Sequence, residues 1–202
     1  MTSHYFDAEP AGPERRQRIT ATVWGHELVL ATAGGVFAGE GLDRGTAVLL
    51  RESEPPSGSP RVLDLGCGYG PIALAIAVAC PGATVDAVDI NERALALCRD
   101  NAQALGVADR VRVRRPEDTD PETRYDEIWS NPPIRIGKAA LRELLLSWLD
   151  RLAPDGVARL VVAKNLGSDT LQRWLTEQGY AVERTASSKG FRVLLIGRFR
   201  PG

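Results

Sequence analysis

This 202-residue chain is short of the side chains on which most covalent and metal chemistry depends, with two histidines, three cysteines and one methionine. His4 and His26 have no partner that the sequence points to, so no Ser/His or Cys/His nucleophilic pair is in view. Cys67, Cys80 and Cys98 are odd in number and lack CxxC spacing, which indicates neither a disulfide framework nor a zinc site, and no metal is expected. Apolar residues nowhere run for the ~18 positions that a membrane span needs. The opening MTSHYFDAEP also lacks the basic and apolar regions of a secretory signal, so a cytoplasmic location is expected. Charge of one sign is missing as well. A formal net charge of −1 is poorly suited to coating nucleic acid nonspecifically, a mode that takes many phosphate contacts, and leaves room only for a local basic face.

What is present is ordinary globular material: 44% hydrophobic and 25% charged residues, enough for one domain with its own core. A domain of this size buries roughly 70% of the surface its unfolded chain exposes. The segment Glu54-Pro55-Pro56-Ser57-Gly58-Ser59-Pro60 is rich in turn formers and divides a leader or lid, 1–60, from a main body, 61–202. In the body, apolar runs alternate with helical patterns. Strands are predicted over 62–65, 84–88, 111–113, 127–130 and 157–163, with helices over 71–79, 92–105, 138–152 and 168–178. That rhythm calls for an α/β fold with a parallel sheet, and the last two strands, 180–184 and 191–199, have no helix between them and predict a terminal hairpin. Pro154-Asp155-Gly156 reads as a turn, and the leader offers a short strand over 28–30 and a helix starting at Thr46.

Three segments carry chemistry. Val62-Leu63-Asp64-Leu65-Gly66-Cys67-Gly68-Tyr69-Gly70 is a strand running into a glycine turn, where the backbone can approach a ligand closely. The spacing is GxGxG with Pro71 following, unlike the GxGxxG of a dinucleotide site. An acid at Asp64 would repel phosphate and attract the amino end of an amino-acid-like ligand, which favours S-adenosylmethionine over NAD. Asp89 ends the next strand about 20 residues on, where a carboxylate accepts from ribose hydroxyls, and Ile90 follows it; capping the helix that starts near Asn91 is the plainer role for Asp89. Glu117 and Asp118, after the third strand, could accept from an adenine amine or be plain loop acids.

The third segment is Asn131-Pro132-Pro133-Ile134, directly after a strand. Taken alone it could be a simple turn. An exocyclic amine on a nucleobase is a poor nucleophile because its lone pair is delocalised. The Asn131 oxygen and the Pro132 carbonyl could accept its two hydrogens and tilt the lone pair toward a methyl donor. Such catalysis works by positioning and by accepting developing charge, and needs no covalent nucleophile.

Asp64-Leu65-Gly66-Cys67-Gly68-Tyr69-Gly70-Pro71, Val88-Asp89-Ile90-Asn91-Glu92-Arg93-Ala94 and Ser130-Asn131-Pro132-Pro133-Ile134-Arg135-Ile136-Gly137-Lys138 resemble the small-domain methyltransferases. The likeness to the ribosomal RNA small-subunit guanine-N2 enzymes of that family extends to His4-Tyr5-Phe6, Gly35-Val36-Phe37, Asp43-Arg44-Gly45-Thr46 and Lys189-Gly190-Phe191-Arg192-Val193. It implies a Rossmann-like class I methyltransferase fold of seven strands. It also implies S-adenosylmethionine on Gly66, Gly68 and Asp89 and Asn131 to Ile134 on the target amine, with the leader from Phe37 to Thr46 closing over the cofactor. Asp64, Cys67, Ile90 and Asn131 complete the expected cofactor-binding set, and Phe37 is a candidate for the substrate.

Ile134 stands where the best-defined guanine-N2 enzymes carry an aromatic residue, so base stacking there is weaker. Those enzymes often have a second, degenerate domain for which 202 residues leave no room. Target recognition is then expected from the leader, from a partner, or from basic residues: Arg135 and Lys138 beside the target pocket, and Arg110, Arg112, Arg114 and Arg115, which alternate along an apparent strand and could equally form an ordinary solvated face. The expected substrate is a guanine N2 in ribosomal RNA. Adenine N6, a protein glutamine amide, or a noncatalytic nucleotide-binding module that scaffolds RNA are the alternatives. Trp24, Trp129, Trp148 and Trp174 are assigned to packing.

Overall fold

In the computed structural model, which describes residues 16–33, 41–133 and 136–198, the apolar runs become strands stacked between helices. The strands are β1 (Arg16–Val23), β2 (His26–Ala33), β3 (Arg61–Leu65), β4 (Thr84–Val88), β5 (Val111–Arg114), β6 (Tyr125–Ser130), β7 (Leu152–Ala163), β8 (Tyr180–Ser188) and β9 (Phe191–Arg198). The helices are α1 (Arg44–Arg51), α2 (Pro71–Ala79), α3 (Glu92–Ala104), α4 (Lys138–Leu149) and α5 (Ser168–Glu177). Seven strands form one sheet in the order β5-β4-β3-β6-β7-β9-β8. β3 to β7 pair in parallel, while β9 is antiparallel to both β7 and β8. The order reverses between β3 and β6, and the carboxyl ends of strands at such a switch point are where open α/β sheets bind ligands.

The central strands are buried on both faces, which is why they read as unbroken apolar runs. Val62, Val85 and Trp129 face a core shared with α1, α2, α3 and the β1–β2 hairpin, while Leu63, Val88, Ile128 and Leu160 face α4 and α5. α2 is enclosed by this first layer and buries Pro71 to Ala77 without a break, so it is apolar all round. Pro71 sits at the helix start, where its missing N–H costs nothing. Among the described residues no helix is long and apolar enough to cross a membrane.

Several boundaries move. α4 stops at Leu149 and not at 152, because Leu152 already belongs to β7, where it is buried and pairs with Tyr125. Pro154-Asp155-Gly156 does not reverse the chain. It bulges out of β7 while β6 advances only from Tyr125 to Glu127, and a Cβ on Gly156 would lie 2.7 Å from the Tyr125 carbonyl oxygen. The expected strand over 28–30 is the middle of β2. Its partner β1 was unforeseen: it opens on three exposed polar residues, Arg16 to Arg18, and alternates only over its last five, with Ile19 and Val23 buried, Ala21 half-buried and Thr20 and Thr22 exposed. The two are joined through Trp24 and Gly25, both at positive φ (49° and 81°), the backbone that a two-residue hairpin turn asks for. Trp24 holds that conformation by donating from Nε1 to the Ser53 carbonyl at 2.8 Å and standing edge-on to Trp129, ring centres 5.9 Å apart. α1 begins at Arg44 with Asp43 as its cap, two residues before the expected start.

Candidate active site

β3 delivers the glycine turn to the switch point. Gly66 and Gly68 have φ of +76° and +56°, a region costly for any side chain, and the turn alternates an exposed Gly66, a buried Cys67 and a half-buried Gly68. Four of its amide hydrogens are spent inside the protein: Gly66 and Cys67 donate to the Val88 carbonyl at 2.8 and 3.0 Å, Gly68 to Asp89 Oδ2 at 2.9 Å and Gly70 to the Cys67 carbonyl at 2.9 Å. None of these four is left to cradle a phosphate. The Cys67 thiol is turned inward, and its hydrogen bond to Cys98, with burial, pushes it well above the usual thiol range, so any contact Cys67 makes with a ligand is through its backbone. Gly70 has Cys98 against it, since an added Cβ would lie 2.6 Å from Cys98 Sγ.

Asp64 is wholly buried and caps α2 from the preceding strand, with Oδ2 accepting from the Ala73 N–H at 2.9 Å. Its Oδ1 is buried with no hydrogen-bond partner, and burial pushes the carboxyl up to about 7. Asp89, at the end of β4, accepts from Gly68 N–H and Asn91 N–H, both at 2.9 Å, and burial raises its carboxyl above the ordinary range. It ties the glycine turn to the start of α3, while the cap of that helix is Asn91, which accepts from the Ala94 N–H at 3.1 Å. Ile90 is half-buried beside it. Glu117 and Asp118 are exposed in a short 3-10 turn after β5, and Glu117 pairs with Arg115 at 2.6 Å.

Asn131 leaves the end of β6 beside the glycine turn. Ser130 Oγ donates to the Leu65 carbonyl at 2.7 Å, locking the ends of β6 and β3 together, and a Cβ on Gly66 would lie 3.9 Å from Pro133 Cδ. Pro133 is thus brought against Gly66 across the switch point, with Asn131 and Pro132 between it and the end of β6. Asn131 donates from Nδ2 to Asp43 Oδ1 at 2.6 Å and to Thr46 Oγ1 at 3.2 Å. Sequence reading assigned those two residues no contact with Asn131. The only local signal was an Asp three residues before a Thr, the pattern of a helix cap, and Asp43 does cap α1, accepting from the N–H groups of Gly45 and Thr46.

Lys138 opens α4 on the same end of the sheet and is exposed. Ile134, Arg135 and Phe37 lie outside the described residues. Arg112 and Arg114 alternate along β5 as expected, but most of the arginine run is spent on protein partners. Arg110 precedes β5 and donates to the Ala77 carbonyl at 2.7 Å, Arg114 lies 3.8 Å from the buried Asp86, and Arg115 follows β5 to pair with Glu92 and Glu117. Only Arg112 is exposed among them. Trp129 and Trp148 are buried, and Trp24 and Trp174 pack against the cores.

Residues 27–195 match the methyltransferase small domain family. The Bacillus subtilis protein YbxB is 27% identical over 197 residues, which is 96% of this chain and 98% of that protein. Ribosomal RNA small subunit methyltransferase C of Shewanella sp. (strain MR-4) is 38% identical over 151 residues, 71% of this chain and 43% of the enzyme, so the chain spans less than half the length of that relative. Among solved structures, the T. thermophilus 16S rRNA N2 G1207 methyltransferase in complex with AdoMet and guanosine superposes with a TM-score of 0.80 at 24% identity. The match covers 95% of this chain and 53% of that one. The family match takes in every element that carries a candidate site residue, from β2 into β9, and the chain is a member of the methyltransferase small-domain family.

Proposed function

We propose that this chain is an S-adenosylmethionine-dependent N-methyltransferase whose target is a planar exocyclic amine, the N2 of a guanine in small-subunit ribosomal RNA. The observation that carries the reading is Asn131. It stands at the carboxyl end of β6, which Ser130 ties to the end of β3 where the glycine turn starts, with both hydrogens of its amide spent on Asp43 and Thr46 and its oxygen left as an acceptor.

The residues on the other side of the switch point fit the cofactor. A turn with four of its amides already bonded suits a ligand without a pyrophosphate, and the unpaired Oδ1 of Asp64 provides negative potential for an ammonium group. Asp89 has acceptor lone pairs beyond its two backbone bonds for ribose hydroxyls, and Ile90, Glu117 and Asp118 lie beyond it toward an adenine. When bound, S-adenosylmethionine supplies a methyl group on a sulfonium, which the amine's lone pair takes up as the sulfur recovers the bonding pair. The Asn131 Oδ1 and the Pro132 carbonyl accept the amine's two hydrogens, directing its lone pair out of conjugation and holding the nitrogen as it becomes cationic. The extra proton passes to water, so no histidine is needed. Pro132 and Pro133 stiffen the turn through their fixed φ. Ile134, Phe37, Arg135 and Lys138 are assigned to the target base and its flanking phosphates. The likeness to ribosomal RNA small subunit methyltransferase C and to the T. thermophilus guanine-N2 enzyme supports RNA as the acceptor.

Transfer of labelled methyl from S-adenosylmethionine to total RNA, small ribosomal subunits and a protein extract, followed by nucleoside mass analysis, tests this. Label is expected in N2-methylguanosine. Label in N6-methyladenosine or in protein would move the target to another planar amine, and cofactor binding without transfer to any acceptor would favour a noncatalytic module. The Asn131→Ala variant is expected to bind the cofactor as the parent does while its turnover falls about 10²- to 10³-fold, the scale of losing one transition-state acceptor or donor; unchanged turnover would remove Asn131 from the chemistry.

A further inference from the structure

We propose that Asp43 and Thr46, in the first turn of α1, are positioning residues that hold the Asn131 amide with its oxygen toward the target amine; the inference rests on the methyltransferase reading above. A side-chain amide has a donor end and an acceptor end, and only the acceptor end is useful to an incoming NH2. A carboxylate only accepts, so the amide nitrogen has to face Asp43 Oδ1, at 2.6 Å, and its second hydrogen is taken by Thr46 Oγ1 at 3.2 Å. With both hydrogens spent, Oδ1 is the hydrogen-bonding atom the side chain has left to offer. A half-turn of the amide would trade a short, charge-assisted bond for an oxygen facing a carboxylate.

The clamp is itself rigid. Asp43 Oδ1 also accepts from Gly45 N–H at 2.9 Å and Thr46 N–H at 3.2 Å, so the carboxylate is fixed as the helix cap before Asn131 reaches it. Gly45 makes the approach possible, since a Cβ there would lie 3.0 Å from Asn131 Oδ1 and 3.1 Å from its Nδ2. Thr46 is 4% exposed, which keeps water from competing for its hydroxyl. Asp43 and Asn131 are 88 positions apart, and nothing in the fold of either β6 or α1 alone calls for their meeting.

The discriminating variants, in the full chain, are Asp43→Ser and Thr46→Val. Serine caps a helix about as well as aspartate but is one bond too short to reach Asn131 at the same time, and valine removes the Thr46 acceptor while leaving the cap whole. Two readouts are taken: solvent exchange of the Asn131 side-chain amide protons by 15N NMR, identified by their loss in Asn131→Ala, and single-turnover methylation of the acceptor found to be labelled. In both variants the amide protons are expected to exchange at least tenfold faster. The transfer rate is expected to fall about ten- to a hundredfold, the scale of a small misplacement of a reacting group, with cofactor affinity and acceptor KM within about twofold because only positioning is lost. Asp43→Asn, whose oxygen can still accept from Asn131, should restore most of both. Unchanged exchange and turnover in Asp43→Ser and Thr46→Val would overturn the proposal, as would a loss of rate matched by an equal loss of cofactor binding. If the parent protein transfers no label to any acceptor, the methyltransferase reading fails, and amide exchange alone then decides whether Asp43 holds Asn131.

Discussion

Asp64 lies with its carboxyl wholly inside the protein, one oxygen on the Ala73 N–H and the other unpaired, and burial pushes it from 3.8 to about 7. The native state then keeps a proton that the unfolded chain has lost, across the interval from about 4 to 7. A carboxyl raised in this way stabilises the fold below its unfolded value, and that contribution is lost as pH rises through about 7, at about 1.4 kcal/mol for each pH unit. The cofactor-free protein is therefore expected to melt at a lower temperature at pH 7.5 than at pH 5.5, and Asp64→Asn should flatten that slope. Asp89, also raised by burial, shifts stability in the same direction as pH rises above the ordinary carboxylate range. Binding an ammonium group favours the ionised carboxylate, so the affinity for S-adenosylmethionine should rise with pH through 7 in the parent and lose most of that dependence in Asp64→Asn. Calorimetric titration over pH 6 to 8.5 checks this, and a pH-independent affinity in the parent would count against a role for Asp64 in cofactor binding.

α3 connects the hairpin to the glycine turn through one side chain. Asn101 is 2% exposed; its Oδ1 accepts from Ala31 N–H at 2.7 Å, and its Nδ2 donates to the Ala31 carbonyl and to the Tyr69 carbonyl, both at 2.9 Å. To the edge of β2 it acts as a further strand would, and to the turn it is a strut. Asn101→Ala leaves three backbone groups without this partner. At about 1–3 kcal/mol for each buried group that stays unsatisfied, a loss of about 2–4 kcal/mol after relaxation is expected by denaturant unfolding. Because Tyr69 sits within the glycine turn, cofactor affinity should fall as well. A variant that loses stability with no change in affinity would show that the turn is held by its own hydrogen bonds to Val88 and Asp89 alone.

Across the whole molecule, the division at the proline-rich segment 54–60 does not separate two cores. Leu28, Leu30, Val48, Leu49 and Leu50, all N-terminal to it, are at most 2% exposed and belong to the same cluster as α2 and α3. At about 1.5–3 kcal/mol for each buried side chain of this size, they contribute roughly 8–15 kcal/mol, a sum comparable to the entire stability of a domain. A fragment starting at residue 61 is accordingly expected to show no cooperative thermal transition, checked by circular dichroism and calorimetry against the full chain. A folded fragment would mean that the hairpin and α1 only decorate a self-sufficient sheet.

What the sequence determined by itself is whatever carries a local signal. The parallel strands announced themselves as continuous apolar runs, α2 by Pro71 after the glycines, α3 by the Asn91 cap, and β8–β9 by two strand patterns with Lys189-Gly190 between them. The glycine turn, Asp89 and Asn131 could be picked out because each follows a recognisable strand, and the switch point gathers strand ends. Tertiary structure decided the rest. β1 alternates over only five residues behind a polar start, α4 had no glycine or proline directly after Leu149 to mark its end, and three of the four arginines of the run found protein partners that no pattern along the chain discloses. The bonds that tie the leader to the candidate site and to α3, Asp43 to Asn131 and Ala31 to Asn101, join residues 88 and 70 positions apart. A hydrogen bond depends on where two side chains end up in space to within a few tenths of an ångström, and for residues so distant in sequence that is fixed only when the sheet and its helices have packed.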